Sequence, residues 1–142
     1  MLAFRTSGLA LNEVWQDEQP EARVRAAFPW VGEPDTDSMG LVYFEVEPGH
    51  SLALHTDSPD EIVIVLSGTA RAILGDETAE VTAGTVAFIP SMVPHGFDNI
   101  GNDTLKCLGI FASSDVVSTF EYPLQPANSR VVAFKALAPA TA

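Results

Sequence analysis

A chain of 142 residues has the length of one domain, and with 46% hydrophobic and 18% charged residues it can fill a core and is not a disordered polymer. Nineteen acidic residues against seven basic leave a formal net charge of −12, which repels phosphate backbones and anionic membrane surfaces, so neither nucleic acid nor membrane is an expected partner. A lone cysteine, Cys107, forbids an intramolecular disulfide, the first residues lack a basic-then-apolar leader, and no apolar run reaches the roughly 20 residues of a membrane span; a cytoplasmic protein is expected.

Residues 1 to 38 form a mixed N-terminal arm expected to pack on the rest of the chain. Its polar stretch Trp15 to Phe28 suits a short helix or a strand-and-loop arm, and Pro20, Pro29 and Pro34 break it up. From Met39 the pattern changes. Val42, Phe44 and Val46 alternate with Tyr43, Glu45 and Glu47, the period of two of a half-buried strand, and Pro48-Gly49 ends it. Leu52 to Asp57 is the next predicted strand, followed by a turn at Ser58-Pro59-Asp60. Glu61 to Leu66 is a β-branched run of the kind buried in a sheet, and Ser67-Gly68 allows a tight turn into Thr69 to Leu74. Gly75-Asp76 signals a hairpin to a strand around Glu80-Val81, and Ala83-Gly84 a turn into the extended Thr85 to Ile89. Pro90, Pro94 and Gly96 point to an irregular connection, and Leu105 to Phe111 to one more strand with Cys107 as a small core residue. The Ala/Pro-rich residues 136 to 142 are expected to fray. Eight or so short strands with regular turns and no long helical pattern imply one all-β domain, a sandwich or barrel.

Two of the three histidines sit in spaced motifs. The first is G-x5-H-x-D-x3-E-x6-G, with Gly49, His55, Asp57, Glu61 and Gly68; the second is G-x5-P-x-M-x2-H-x3-N, with Gly84, Pro90, Met92, His95 and Asn99. On a strand, residues two apart share a face, so His55 and Asp57 can both aim inward. Glu61 opens the next strand and His95 comes from a distant segment. Two imidazoles with one or two carboxylates suit Fe(II), Mn(II) or Zn(II), and two anionic oxygens neutralise a divalent ion. His50, in the turn after Pro48-Gly49, is expected to be exposed.

The paired motifs resemble those of the cupin superfamily over roughly residues 40 to 112. The resemblance implies a single-domain jelly-roll β-barrel over 39 to 135, with one divalent metal ion held by His55, Glu61 and His95. Asp57 stands where such proteins usually carry a third histidine and Met92 where they usually carry glycine, so Asp57 matches a ligand in place only. The resemblance further implies a homodimer, with Trp15, Phe28, Trp30 and the Val131 to Phe134 segment available to cover a sheet edge.

Inside such a barrel, Val63 and Val65 share the parity of Glu61, Phe97 that of His95, and Phe88 and Met92 lie nearby; these five are the expected substrate pocket, with Arg71, Tyr43 or Glu45 as its polar contact. An apolar lining favours a small apolar or aromatic organic substrate. The expected function is an Fe(II) dioxygenase using O2. The alternatives are a Zn(II)-dependent cyclase, isomerase or lyase of polyketide-cyclase type, with Asp57 or Glu61 as catalytic base, and a non-catalytic ligand-binding barrel.

Overall fold

Alternating side chains, ended at short intervals by Gly, Pro and Asp, give twelve strands rather than helices. The computed structural model describes residues 1–137. In chain order the strands are β1 (Asn12–Trp15), β2 (Arg23–Ala27), β3 (Gly40–Val46), β4 (Ser51–Asp57), β5 (Glu61–Ser67) and β6 (Thr69–Leu74), then β7 (Glu77–Thr82), β8 (Val86–Ile89), β9 (His95–Asn99), β10 (Leu105–Phe111), β11 (Val117–Leu124) and β12 (Ser129–Ala133). Short 3-10 helices cover Thr6–Gly8 and Phe134–Leu137. The strands pair antiparallel in two six-stranded sheets, of order β1-β2-β3-β10-β5-β8 and β12-β11-β4-β9-β6-β7. The sheets form a jelly-roll β-barrel.

The predicted strands from Val42 to Ile89, and Leu105 to Phe111, stand within a few residues of their expected ends. The N-terminal arm takes the strand-and-loop form and is hydrogen-bonded into the first sheet, and three differences stand out elsewhere. Arg23 and Arg25 alternate with buried Val24 and Ala26, and β2 pairs with β3 through Ala26 and Phe44. The connection expected at Pro90 to Gly96 ends sooner, because β9 starts at His95 and includes Gly96, where any Cβ would lie 2.8 Å from Leu52 O. Residues 117 to 133 supply β11 and β12, whose pattern is obscured by Pro123 and the polar Ser118 and Thr119. Tyr43, expected on a polar face, is buried, and its hydroxyl donates to Glu45 Oε2 at 2.6 Å. Of the tail expected to fray, residues 136 and 137 close the second 3-10 helix and the rest lies outside the described residues.

The interior has two halves. Between β5, β6, β9 and β10 it is filled by Val63, Val65, Ala70, Phe97, Leu105 and Cys107. Between β1 to β3 on one sheet and β4, β11 and β12 on the other lies a cavity of about 590 Å³. Among the described residues no helix is long and apolar enough to cross a membrane.

Candidate metal centre

The four residues expected to bind a metal come from three strands and meet at the boundary of these halves. His55 and Asp57 lie on β4, Glu61 opens β5 and His95 opens β9. Register pairs His55 directly with His95, and their ring centroids are 4.2 Å apart. A register shift in β4 between Leu52 and His55, packed against Gly96, turns His55 inward. All four side chains are buried, His95 to 1% exposure.

Each imidazole is aimed by a backbone carbonyl two residues upstream. His55 Nδ1 lies 2.8 Å from Ala53 O and His95 Nδ1 2.9 Å from Val93 O, so each Nδ1–H donates outward and each Nε2 faces the centre. There, His95 Nε2 is 3.0 Å from Asp57 Oδ2 and 3.3 Å from Glu61 Oε1, and His55 Nε2 is 3.5 Å from Asp57 Oδ2. These are ion-pair distances, yet among the described residues His95 Nε2, Asp57 Oδ2 and Glu61 Oε1 have no hydrogen-bond partner. Buried polar atoms without partners are costly. Three converging on one point form a donor set for a cation. His55, Asp57 and His95 each offer an atom within 4.8 Å of the others, and Glu61 stands against His95. Two imidazoles and two carboxylates fit a divalent first-row ion.

Without a metal the charges settle among themselves. Burial opposes ionisation of Asp57, but His55, His95 and Ser118 outweigh it and hold its carboxyl well below the usual carboxylate range. Burial likewise opposes the His95 cation, but Asp57 and Glu61 beside it push its pKa up to about 10. For Glu61 burial prevails, aided by the Asp57 charge, and its pKa is raised.

Three supporting residues carry no signal in the spaced motifs. Ser118, opposite Asp57 in the β4–β11 register, donates its hydroxyl to Asp57 Oδ1 at 2.5 Å, leaving Oδ2 for the centre. Phe120, opposite His55, stacks on its ring at 4.6 Å. Gly109 on β10 leaves room for the Glu61 carboxylate, which a Cβ would strike. An alternation of Ser118, Phe120 and Tyr122 was the available hint. Asn99, which closes the second motif, works elsewhere: its amide donates to Val46 O and Asp103 O.

The five residues expected to form a substrate pocket do not line the cavity. Phe88 and Met92 are 58% and 59% exposed, Phe88 because it faces outward beside Ile62 across β5 and β8. Val63, Val65 and Phe97 are packed in the filled half. Arg71 is on the surface, 3.9 Å from Asp98, and Glu45 pairs with Arg25. His55, Asp57, Ser118 and Phe120 do line the cavity, with Val24, Ala26, Val42 and Phe134 among its apolar walls.

The cupin domain family matches residues 42–111, the span holding all four residues. The chain belongs to the cupin superfamily. An uncharacterised protein of Streptomyces coelicolor is 31% identical over 75 residues, 53% of this chain and 70% of that one. The structure is similar to that of a Thermotoga maritima protein described as a predicted oxalate decarboxylase, with a TM-score of 0.68 and 21% identity over 79% of this chain and 99% of that one. It is also similar to Bacillus subtilis oxalate decarboxylase, described with Mn(II) centres, with a TM-score of 0.64 and 24% identity over 75% of this chain and 30% of that one. At these identities the two structures speak for this cupin's fold.

Proposed function

We propose that this cupin is a mononuclear metal enzyme acting on a small, largely apolar or aromatic organic substrate, with His55, Asp57, Glu61 and His95 as ligands and Fe(II)-dependent dioxygenation as the reaction. The observation that carries this reading is the convergence of unpartnered His95 Nε2, Asp57 Oδ2 and Glu61 Oε1 beside an apolar cavity. A bound divalent ion supplies a Lewis-acidic centre with positions left for substrate and O2. The chain's own residues do the rest. The carbonyls of Ala53 and Val93 orient the imidazoles, and Ser118 holds Asp57.

The Zn(II) alternative, a Lewis-acid cyclase, isomerase or lyase, draws on the place of Asp57 in the cavity wall. Unligated, its carboxylate is in reach of a substrate proton. The homodimer draws on an apolar outer face, where Ile62 and Phe88 pair across β5 and β8 and both are exposed. In sedimentation the expected species is the dimer; a monomer removes that part of the proposal.

The deciding experiment is elemental analysis of protein purified without added metal, then anaerobic loading with Fe(II) and oxygen-uptake assays on a panel of neutral aromatic compounds. About one metal ion per chain and substrate-dependent uptake are expected. Zinc with oxygen-independent turnover shifts the assignment to the Lewis-acid reading. No bound metal, and no change in thermal stability on adding Fe(II) or Zn(II), overturns both.

A further inference from the structure

We propose that the cavity admits uncharged ligands and turns anions away, and that Asp57 is the residue that sets this preference. The inference rests on the metal-site reading above and concerns which ligand the site takes.

Two independent observations carry it. The first is the wall. The cavity is lined by residues from seven strands, and among the described residues no lysine or arginine lines it. The basic side chains with structural partners point elsewhere: Arg23 pairs with Glu13, Arg25 with Glu45 and Glu47, Arg71 with Asp98, and Arg130 Nε donates to Phe120 O. An anion entering this space would leave water for aliphatic and aromatic groups with no fixed cation to meet it. The polar lining atoms, on Asn12, His55, Asp57, Ser118, Gln125 and Ser129, include a negative charge and no obligate positive one.

The second is the charge at the cavity's end. A divalent ion held by neutral imidazoles and one carboxylate keeps a net positive charge that can draw an anionic ligand. Here Asp57 supplies a second carboxylate, its Oδ2 facing both imidazole Nε2 atoms and its Oδ1 held by Ser118. A divalent cation against the Asp57 and Glu61 carboxylates sums to zero. The centre still accepts a lone pair but no longer attracts a charge over distance. The suited ligand is a neutral hydroxyl, enol or carbonyl on an apolar body. A volume of about 590 Å³ holds a fused aromatic system.

The test uses matched probes at neutral pH on the full chain: 2-naphthol, 2-naphthoate and oxalate, by titration calorimetry, with Zn(II) occupancy measured on the same samples. For the Zn(II)-loaded protein, 2-naphthol should bind at least about tenfold more tightly than 2-naphthoate, and oxalate should give no heat. Asp57→His restores one positive charge and should bring the naphthol-to-naphthoate ratio down at least about tenfold. Val131 lines the cavity at an exposed position, so Val131→Arg tolerates the charge and tests the wall without touching the metal ligands. It should strengthen naphthoate binding, with or without metal, and leave naphthol nearly unchanged. Wild-type protein that binds oxalate or naphthoate as well as naphthol overturns the proposal. So does an unchanged ratio in a zinc-loaded Asp57→His protein, or the failure of 2-naphthol to bind. Zinc missing from the wild type overturns the metal-site reading instead, and the metal-free Val131→Arg comparison then decides whether the wall alone rejects anions.

Discussion

Single residues at this centre are chosen as much for the space they leave as for the atoms they bring. Gly109 is the clearest case: the Glu61 carboxylate occupies the place of its missing side chain. Gly109→Ala should displace Glu61 and lower zinc affinity at least about tenfold, read by competition with a chelator; unchanged affinity would remove Glu61 from the ligand set. His95→Ala should abolish stoichiometric metal by elemental analysis while the circular dichroism of the barrel persists, since the filled half of the core does not depend on the imidazole. Met92 shows the opposite economy. It holds φ at 64°, a left-handed conformation that costs a side chain energy, while its N–H donates to Asp57 O at 2.9 Å. Met92→Gly should therefore stabilise the protein by about 1 kcal/mol in urea unfolding, because the side chain is largely exposed and little packing is lost.

At the scale of elements, β11 braces the centre. One strand places Ser118 on Asp57 and Phe120 on His55, because β4 and β11 pair in register over these residues. Ser118→Ala would leave Asp57 Oδ1 buried without its donor. Metal affinity should fall about tenfold, and Ser118→Thr, which keeps the hydroxyl, should recover most of it. A Ser118→Ala protein with wild-type affinity would show that the pairing of β4 with β11 suffices to hold Asp57. This brace is also where sequence reading fell short. Period-two alternation picks out Val42 to Val46, and a β-branched run picks out Glu61 to Leu66. In β11 the inward residues include a serine and a proline follows, so the alternation of Ser118, Phe120 and Tyr122 is only a weak signal.

Across the whole molecule, the buried charges tie metal binding to pH and to stability. In the metal-free protein the folded His95 pKa of about 10 lies above its unfolded value of about 6.5. Its stabilising effect is thus complete below about 6.5 and is lost as pH rises through about 10. Glu61, also raised, acts in the same direction from about 4.3 upward. Asp57 acts oppositely, its stability being present above about 3.9 and lost only as pH falls through its depressed folded value. With chelator present, thermal stability should fall from about pH 6 to about pH 9, while the increment from added Zn(II) should grow, because metal displaces protons from His95 and Glu61. A flat metal-free profile would count against the paired burial of these groups. Cys107, whose burial pushes its thiol up to about 12, should resist alkylation in the native protein and react only on global unfolding.

The amino-acid sequence by itself determined the fold class and most strand positions and picked out four side chains that the fold brings together, because side-chain alternation and turn chemistry act over a few residues and the spaced motifs hold chemically rare groups. Only the tertiary structure decided which space beside those residues is open. Parity placed Val63, Val65 and Phe97 inward correctly, but whether an inward side chain meets a cavity or a packed neighbour depends on the facing sheet. Around the open half, one sheet brings β1 and β2 and the facing sheet brings β11 and β12, from the two ends of the chain. Their pairing, non-local and invisible in any short window, hollows one half of the barrel and fills the other.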